Sequence, residues 1–415
     1  IEKINTREIR FHLKQPYAPF INNTTIGILP KHLWKDLTAE EFPLSLFNFE
    51  PIGSGPYKVE SIERTPAGIP KKYVLEPNRD FPIQSPHLRR LTISFFPNEQ
   101  AIFDAYTSGI IESIHSVNPE NLPKITNDES QIVTATLPRI FGVFFNQNQA
   151  PIFLDGAVRK ALEISIDRVE IIENVLGGYG TPVSGPLPPE FSNESYQSKS
   201  EEERMEEAKR LLDQAGWKYN EEEFVREKIT KKGKTTERQV LAFSISTANA
   251  PELKMTANAL KETWEKLGVR VDIKVFEIGD LNQNVIRARK YDALLFGQIV
   301  GRDLDLYAFW HSSQRNDPGL NVSMYANSKA DTILEEARII TNNSERIEKY
   351  KEFAEEISND TIHLCDAEEN QKRNTYPYHN TIRKIIRRIR VVYRHRTSLE
   401  NFYKKLIIKI ISNRK

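Results

Sequence analysis

Apolar and polar residues alternate at Ile9, Phe11 and Leu13 in REIRFHL (7–13), the pattern of a half-buried strand. Punctuation at Gly27–Pro30 precedes KHLWKDL, where Pro30 suits the entry to a helical turn. PIGSGPYKVESIER (51–64) reads as a Gly/Pro turn running into a strand, and Tyr73–Leu75 and Leu91–Phe95 as further strands. NEQAIFDAYTSG (98–109) predicts a helix closed by Gly109. IFGVFFN (140–146) is an unbroken apolar run suited to a strand buried on both faces, followed by helical stretches around 154–164 and 167–176 that end at Gly177-Gly178.

After the Pro-rich connection TPVSGPLPPEF (181–191), EEERMEEAKRLLDQAGW (201–217) brings Met205, Ala208, Leu211 and Leu212 to one helical face. Its acids lead and Gly216 closes it, an order that suits the helix dipole. Arg238–Thr247 then reads as a strand, Glu252–Leu267 as an amphipathic helix and Val269–Phe276 as a strand again. That succession predicts a βαβ crossover in a mostly parallel sheet. A short helix (280–289), a strand (291–297) and two charged helices (329–341, 344–358) complete the body. The charged patch at 220–237 is the one low-complexity segment.

With 415 residues, 39% apolar and 28% charged, the chain has the profile of a globular protein of two or three domains. No run of eighteen apolar residues occurs, so nothing reads as a membrane span. The sequence opens at Ile1 with no Met and no signal-like segment, which suggests processing or truncation. The near-neutral total hides an asymmetry. Residues 361–415 carry 14 Lys and Arg, among them Arg383, Lys384 and Arg387, against four acids, and the body before them is acidic. The sole cysteine, Cys365, lies in this tail, so no internal disulfide can form.

The parts of standard chemistries are missing. There is no GxxxxGK[ST] loop, no strand-coupled GxGxxG, no HExxH, no GxSxG and no cysteine pair at zinc-ligand spacing. Asp303 and Asp305 are near neighbours, but paired catalytic carboxylates usually converge from separate elements. The expectation is a protein that is not an enzyme, with no cofactor and no metal.

Five segments in order carry a resemblance: IGILPKHLW (26–34), PIGSGPYKV (51–59), NQNQAPIFLDGAVRKALEISIDR (146–168), EAKRLLDQAGW (207–217) and RDLDLYAFWHSSQ (302–314). The chain resembles the peptide and nickel solute-binding proteins (family 5) of ABC importers. The resemblance implies an α/β, two-lobed, type II periplasmic-binding-protein fold with mixed sheets and a hinge between lobes. It implies residues 1–45 as the end of a small extra domain and the return into lobe one, 46–140 as lobe one and 141–360 as lobe two. It also implies a monomer outside the cytoplasm, in the periplasm or anchored as a lipoprotein. Such a protein captures a peptide and passes it to a membrane permease with its ATPase subunits, with no nucleic acid involved. Nickel, a sugar or another small solute is the alternative ligand, and a chaperone or adhesin an alternative use of the scaffold.

An extended peptide held by backbone bonds needs a carboxylate for its ammonium. In the family that acid follows an apolar strand, which LLFGQIVGRDLDLYAFW matches here. Asp303 is the candidate, through a one-residue gap; a gapless match places Arg302 there, and Asp305 is the third possibility. Gly297, Gln298 and Ile299, in the stretch to Gly301, are the candidate backbone partners. Phe145 and Asn146 stand where the chain enters the second lobe, Asn146 offering both donor and acceptor. Trp310 is either pocket or packing. Gly53 and Gly55 are read as supplying a positive-φ turn or a close backbone approach, Pro56 as stiffening the entry to the strand at Tyr57, and Arg159 as pairing with Asp167 to fix a helix end.

The resemblance stops near Asp360. The expectation for residues 361–415 is a frameshift product in place of the family's aromatic closing segment; the rival reading makes IRKIIRRIRVV an amphipathic helix for an anionic surface.

Overall fold

The computed structural model describes all residues except 6–7, 26, 83–85, 115–120, 122–138, 189–190, 192–195, 197, 234, 300–303, 361–362, 369–387, 395–408 and 412–415. The chain opens with two short paired strands, β1 (Glu2–Lys3) and β2 (Ile9–Arg10), and two single-turn helices, α1 (Phe20–Asn23) and α2 (Lys31–Trp34). Next come β3 (Tyr57–Arg64), β4 (Pro70–Pro77), β5 (Arg90–Phe96) and α3 (Glu99–Thr107). Asn98 caps α3 by accepting the Ala101 N–H, and Gly109 follows it at φ 72°, the ending its position predicts.

The larger part follows: β6 (Arg139–Phe145), α4 (Gly156–Ile164), α5 (Arg168–Leu176) and α6 (Glu201–Gln214). A charged meander, β7 (Lys218–Asn220), β8 (Val225–Lys232) and β9 (Thr235–Val240), leads to β10 (Ala242–Ala248), α7 (Pro251–Lys266) and β11 (Arg270–Phe276). Then come α8 (Ile278–Asp280), which runs into a π-helical stretch to Ile286, β12 (Ala293–Ile299), α9 (Tyr307–Trp310), α10 (Ser328–Ile339) and α11 (Asn343–Asp360). Strands β13 (His363–Glu368), β14 (Arg388–Arg394) and β15 (Lys409–Ile411) close the chain.

These elements form two compact units, one from residues 1–25 and 133–373, the other from 26–132 and 374–415. The first unit holds a mixed five-stranded sheet in the order β11-β10-β12-β6-β13. β10 runs parallel to both β11 and β12, and α7 is the crossover that a parallel pair requires. β6 lies antiparallel between β12 and β13, and its Val143, Phe144 and Phe145 are buried, as an unbroken apolar run in a central strand should be. α7 contributes Leu253, Ala257, Leu260 and Trp264, spaced by three or four residues, to the same core. Ser200 and Glu203 form a reciprocal capping box at the start of α6, while Gly177 ends α5 in the left-handed region at φ 58°.

The second unit is a smaller sheet in which β3, β4 and β5 form an antiparallel meander, with β14 and β15 pairing to the free edge of β5. Its core gathers Leu91, Ile102, Ala105 and Ile111, with Tyr57, Leu75 and Phe96 packed around them.

Three sequence expectations are corrected. The alternation at 7–13 gives only the two-residue strand Ile9–Arg10; Ile9, and Phe11 just beyond the strand, stay exposed, because the partner β1 is itself an exposed two-residue strand. The single strand foreseen over Arg238–Thr247 is two, in different sheets. It breaks at Leu241, whose N–H donates to Arg226 and whose carbonyl accepts from Arg270. In the tail, residues 388–394 are strand rather than amphipathic helix, consistent with the β-forming run Ile389, Val391, Val392 and Tyr393; residues 382–387 of that stretch lie outside the described residues.

Candidate ligand-binding site at the end of strand β12

Strand β12 keeps antiparallel register with β6 to its end, Gln298 opposite Ile140 and Ile299 opposite Arg139. Gly297 belongs there for a steric reason: a Cβ on it would stand 2.8 Å from the Phe141 ring. Gln298 is buried, whereas Ile299 is 55% exposed. Arg302 and Asp303, with Gly301, lie outside the described residues.

The chain is described again from Leu304, which is buried and takes φ 50°, a left-handed backbone that leucine adopts only under constraint. Asp305 follows, and its carboxylate is fully engaged. Arg338 Nε donates to Oδ1 at 2.9 Å and Nη2 to Oδ2 at 2.8 Å, while the Tyr17 hydroxyl donates to Oδ2 at 2.8 Å. This two-pronged, charge-assisted geometry is the strong form of the ion pair. The guanidinium also lies 3.8 Å over the Tyr307 ring and 5.3 Å over the Tyr17 ring, and the Arg338 carbonyl accepts the Ala18 N–H at 2.7 Å. Burial pushes the Tyr17 hydroxyl pKa up, and its bond to Asp305 adds to the shift. Burial pulls Arg338 the other way, but the Asp305 carboxylate outweighs it and raises the guanidinium further. Asp305 thus already has a cation and is a brace within its unit.

The other candidates in this unit are also held by the protein's interior. Asn146 is buried; its amide donates to the Arg289 carbonyl at 3.1 Å, and its Oδ1 accepts the N–H groups of Asn148 and Gln149 at 3.1 and 3.2 Å. Its side chain shapes the turn after β6. Phe145 sits in an aromatic cluster with Phe153, Phe243 and Trp264, at centroid distances of 4.6, 6.5 and 6.4 Å. Trp310 packs on Phe144, Tyr325 and Phe353.

In the second unit, Asn78 clamps the PIGSGPY turn. Its amide donates to the Gly55 carbonyl at 2.9 Å and its backbone N–H to the Pro56 carbonyl at 2.8 Å. The Tyr57 hydroxyl donates to Leu88 at 3.2 Å. The reading of the glycines is corrected: neither Gly53 nor Gly55 has positive φ, and a Cβ on Gly53 would meet nothing within 4 Å. The Arg159–Asp167 pairing is corrected as well. Asp167 caps α5 through the N–H groups of Val169 and Glu170 and pairs with Arg204 at 2.9 Å, whereas Arg159 donates to the Phe153 carbonyl. Burial alone would raise the Asp167 pKa, but the Ser198 hydroxyl, the two amides and Arg204 hold it below the usual carboxylate range.

Arg338, Tyr17 and Tyr307 are the residues that sequence reasoning missed. Tyr17 and Asp305 are 288 positions apart, and no local spacing links them. Among the described residues no group of three or more His, Cys, Asp or Glu side chains is placed to hold a metal, and no helix is long and apolar enough to cross a membrane.

Residues 1–321 match the family described as bacterial extracellular solute-binding proteins, family 5 Middle. The chain is 26% identical over 375 residues to the oligopeptide-binding protein AppA of Bacillus subtilis (strain 168), covering 87% of this chain and 65% of that protein. The structure of AppA from Bacillus subtilis in complex with a nonapeptide superposes with a TM-score of 0.67 at 24% identity, over 88% of this chain and 72% of that one. NikZ from Campylobacter jejuni in complex with Ni(L-His) gives a TM-score of 0.67 at 26% identity, over 86% and 69% of the two chains. The chain spans 60 to 65% of the length of the first curated relatives it matches. The structural neighbours bear out the α/β type II binding-protein fold expected from the sequence.

Proposed function

The chain belongs to family 5 of the bacterial extracellular solute-binding proteins, and from that premise we propose that it captures a peptide outside the cytoplasm for an ABC importer. The observation that carries this reading is the likeness, across 88% of the chain, to an oligopeptide-binding protein whose structure holds a nonapeptide. In this reading the protein binds as a monomer without a cofactor, leaves its ligand chemically unchanged and docks on a membrane permease whose ATPase subunits supply the work. The end of β12 offers backbone groups to an extended peptide, in the manner of strand addition. Asp303 is the proposed partner of the ligand ammonium, since Asp305 is already paired with Arg338.

The second reading is a small complexed solute, favoured by the likeness to a protein holding Ni(L-His). A thermal-shift series with dipeptides, tri- to pentapeptides, Ni²⁺ with and without histidine, and sugars separates the two, because a true ligand stabilises by mass action. Peptides should raise the melting temperature in proportion to the logarithm of their concentration. A curve that peptides leave in place and nickel–histidine moves would replace the peptide reading with the second. Asp303→Asn should weaken free peptides more than N-acetylated ones; equal losses would remove Asp303 from its role.

A further inference from the structure

We propose that the free edge of strand β11 is an interface at which two copies of this chain pair antiparallel about a two-fold axis at Ile273. β11 closes one side of the first unit's sheet and, among the described residues, pairs with β10 alone. Backbone direction decides which of its groups are spare. The Arg270 N–H donates to the Leu241 carbonyl and the Phe276 carbonyl accepts from Asn249, so the even-numbered residues of β11 face β10. The N–H and C=O groups of Val271, Ile273 and Val275 therefore point outward from the edge. The Val271 carbonyl takes the Lys261 ammonium at 2.6 Å, which leaves its second lone pair for a further donor. Such an edge is a template for another strand.

The side chains say which strand fits. Asp272 and Lys274 are exposed, flank Ile273, and make no ion pair among the described residues. A lysine in the middle of an edge strand ordinarily keeps other strands away. Turned antiparallel about Ile273, however, VDIKV (271–275) is complementary to itself. Asp272 of one copy then stands opposite Lys274 of the other at both junctions, Val271 opposite Val275, and Ile273 opposite its own counterpart. The charged pairs fall at the positions without backbone bonds, where opposing side chains are closest, and the valine and isoleucine positions exchange N–H···O bonds. A two-fold axis at Asp272 or at Lys274 would instead set like charges face to face, so the charge pattern selects Ile273 as the centre. Val275, 43% exposed in the single chain, gains a partner in Val271. Each copy keeps its own end of β12, with β10 between it and the edge, so the pairing goes beyond the capture reading and leaves the one-chain binding unit as it is.

Sedimentation equilibrium of the full chain over a concentration series tests the pairing. The wild type should show a reversible monomer–dimer equilibrium that added salt weakens, since the charged pairs stay near solvent. Asp272→Lys and Lys274→Asp each put like charges at both junctions and should weaken the dimer about tenfold. The double reversal makes the edge self-complementary again and should return the wild-type dimer. The two single variants are complementary to each other, so their mixture should form a heterodimer more tightly than either associates alone. Both side chains are exposed, so every variant should keep the wild-type thermal transition, and should one fail to fold, the salt series on the wild type still decides. A wild type that stays monomeric, a dimer indifferent to salt and to both reversals, or single variants that ignore each other on mixing would overturn the pairing. None of these outcomes touches peptide capture, which the thermal-shift series reads separately.

Discussion

Trp217 donates its indole N–H to Asp155 across 3.0 Å, although the two residues stand 62 positions apart. The same carboxylate caps α4 through the Ala157 N–H at 3.1 Å and takes the Lys228 ammonium at 2.9 Å. One acid therefore joins the start of α4, the loop after α6 and strand β8. Truncating it leaves a buried indole N–H and a helix start without acceptors, so Asp155→Ala should cost about 1–3 kcal/mol at neutral pH, read from urea unfolding.

The same contacts predict a pH dependence. Burial alone would raise the Asp155 pKa, but Lys228, Trp217 and the Ala157 amide outweigh it and hold the carboxylate below its usual range. The folded value therefore lies below the unfolded one of about 3.9. The stabilisation is complete above the unfolded value and is lost as pH falls through the folded one. The gap in unfolding midpoint between wild type and Asp155→Asn should be wide at pH 7 and close below about pH 4. A gap of constant width from pH 7 to pH 3 would refute the assignment.

The centre of the first unit is aromatic. Phe153 lies 4.6 Å from Phe145 and 4.9 Å from Phe243, and Phe243 lies 5.5 Å from Trp264, whose indole donates to the Leu162 carbonyl at 3.0 Å. Phe153 has no exposed surface. Phe153→Ala should cost about 3–5 kcal/mol, with Phe153→Leu losing well under half of that, because leucine refills most of the volume. Equal midpoints for the two variants would mean that the cluster collapses around the hole.

What the sequence made legible here was local. The β10–α7–β11 unit could be read because a helix of that length shows its 3.6-residue period, β10 is almost wholly buried and β11 alternates apolar and polar residues. Gly109 and Gly177 marked helix ends because both stand in left-handed backbone. The meander at 218–240 escaped because its strands are charged on both faces, leaving no period-two apolar signal; Arg238 pairs across it with Glu223 and Glu227. At the candidate site the sequence placed the strand and its neighbouring acids but not the Arg338–Asp305–Tyr17 brace, which only the tertiary structure assembles. Phe145 and Asn146 draw attention by standing where the chain enters the second lobe, Asn146 also by its donor and acceptor, and burial against their own chain gives them a scaffolding environment.

Gly297 offers a steric test of the β12–β6 pairing. It lacks positive φ, so an added methyl group is strained only by the Phe141 ring 2.8 Å away. Gly297→Ala should destabilise by about 1–3 kcal/mol, and adding Phe141→Leu should recover most of the loss. Additive effects in the double variant would show that the two side chains do not meet.

The charged meander permits a sharper contrast between two arginines. Arg226, 4% exposed, donates to the carbonyls of Trp217 at 2.7 Å and Leu267 at 2.8 Å and pairs with Asp213 at 2.9 Å. Its removal strands two carbonyls where water cannot reach, so Arg226→Ala should cost about 2–5 kcal/mol. Arg238, on the next strand, has ion pairs of its own with Glu223 and Glu227, but in contact with solvent. Water and salt replace those contacts on mutation, so Arg238→Ala should leave the unfolding midpoint where it was. By count of ionic partners Arg238 ranks above Arg226, so a larger loss at Arg238 would mean that ion pairing, rather than the satisfaction of buried carbonyls, holds this meander to the core.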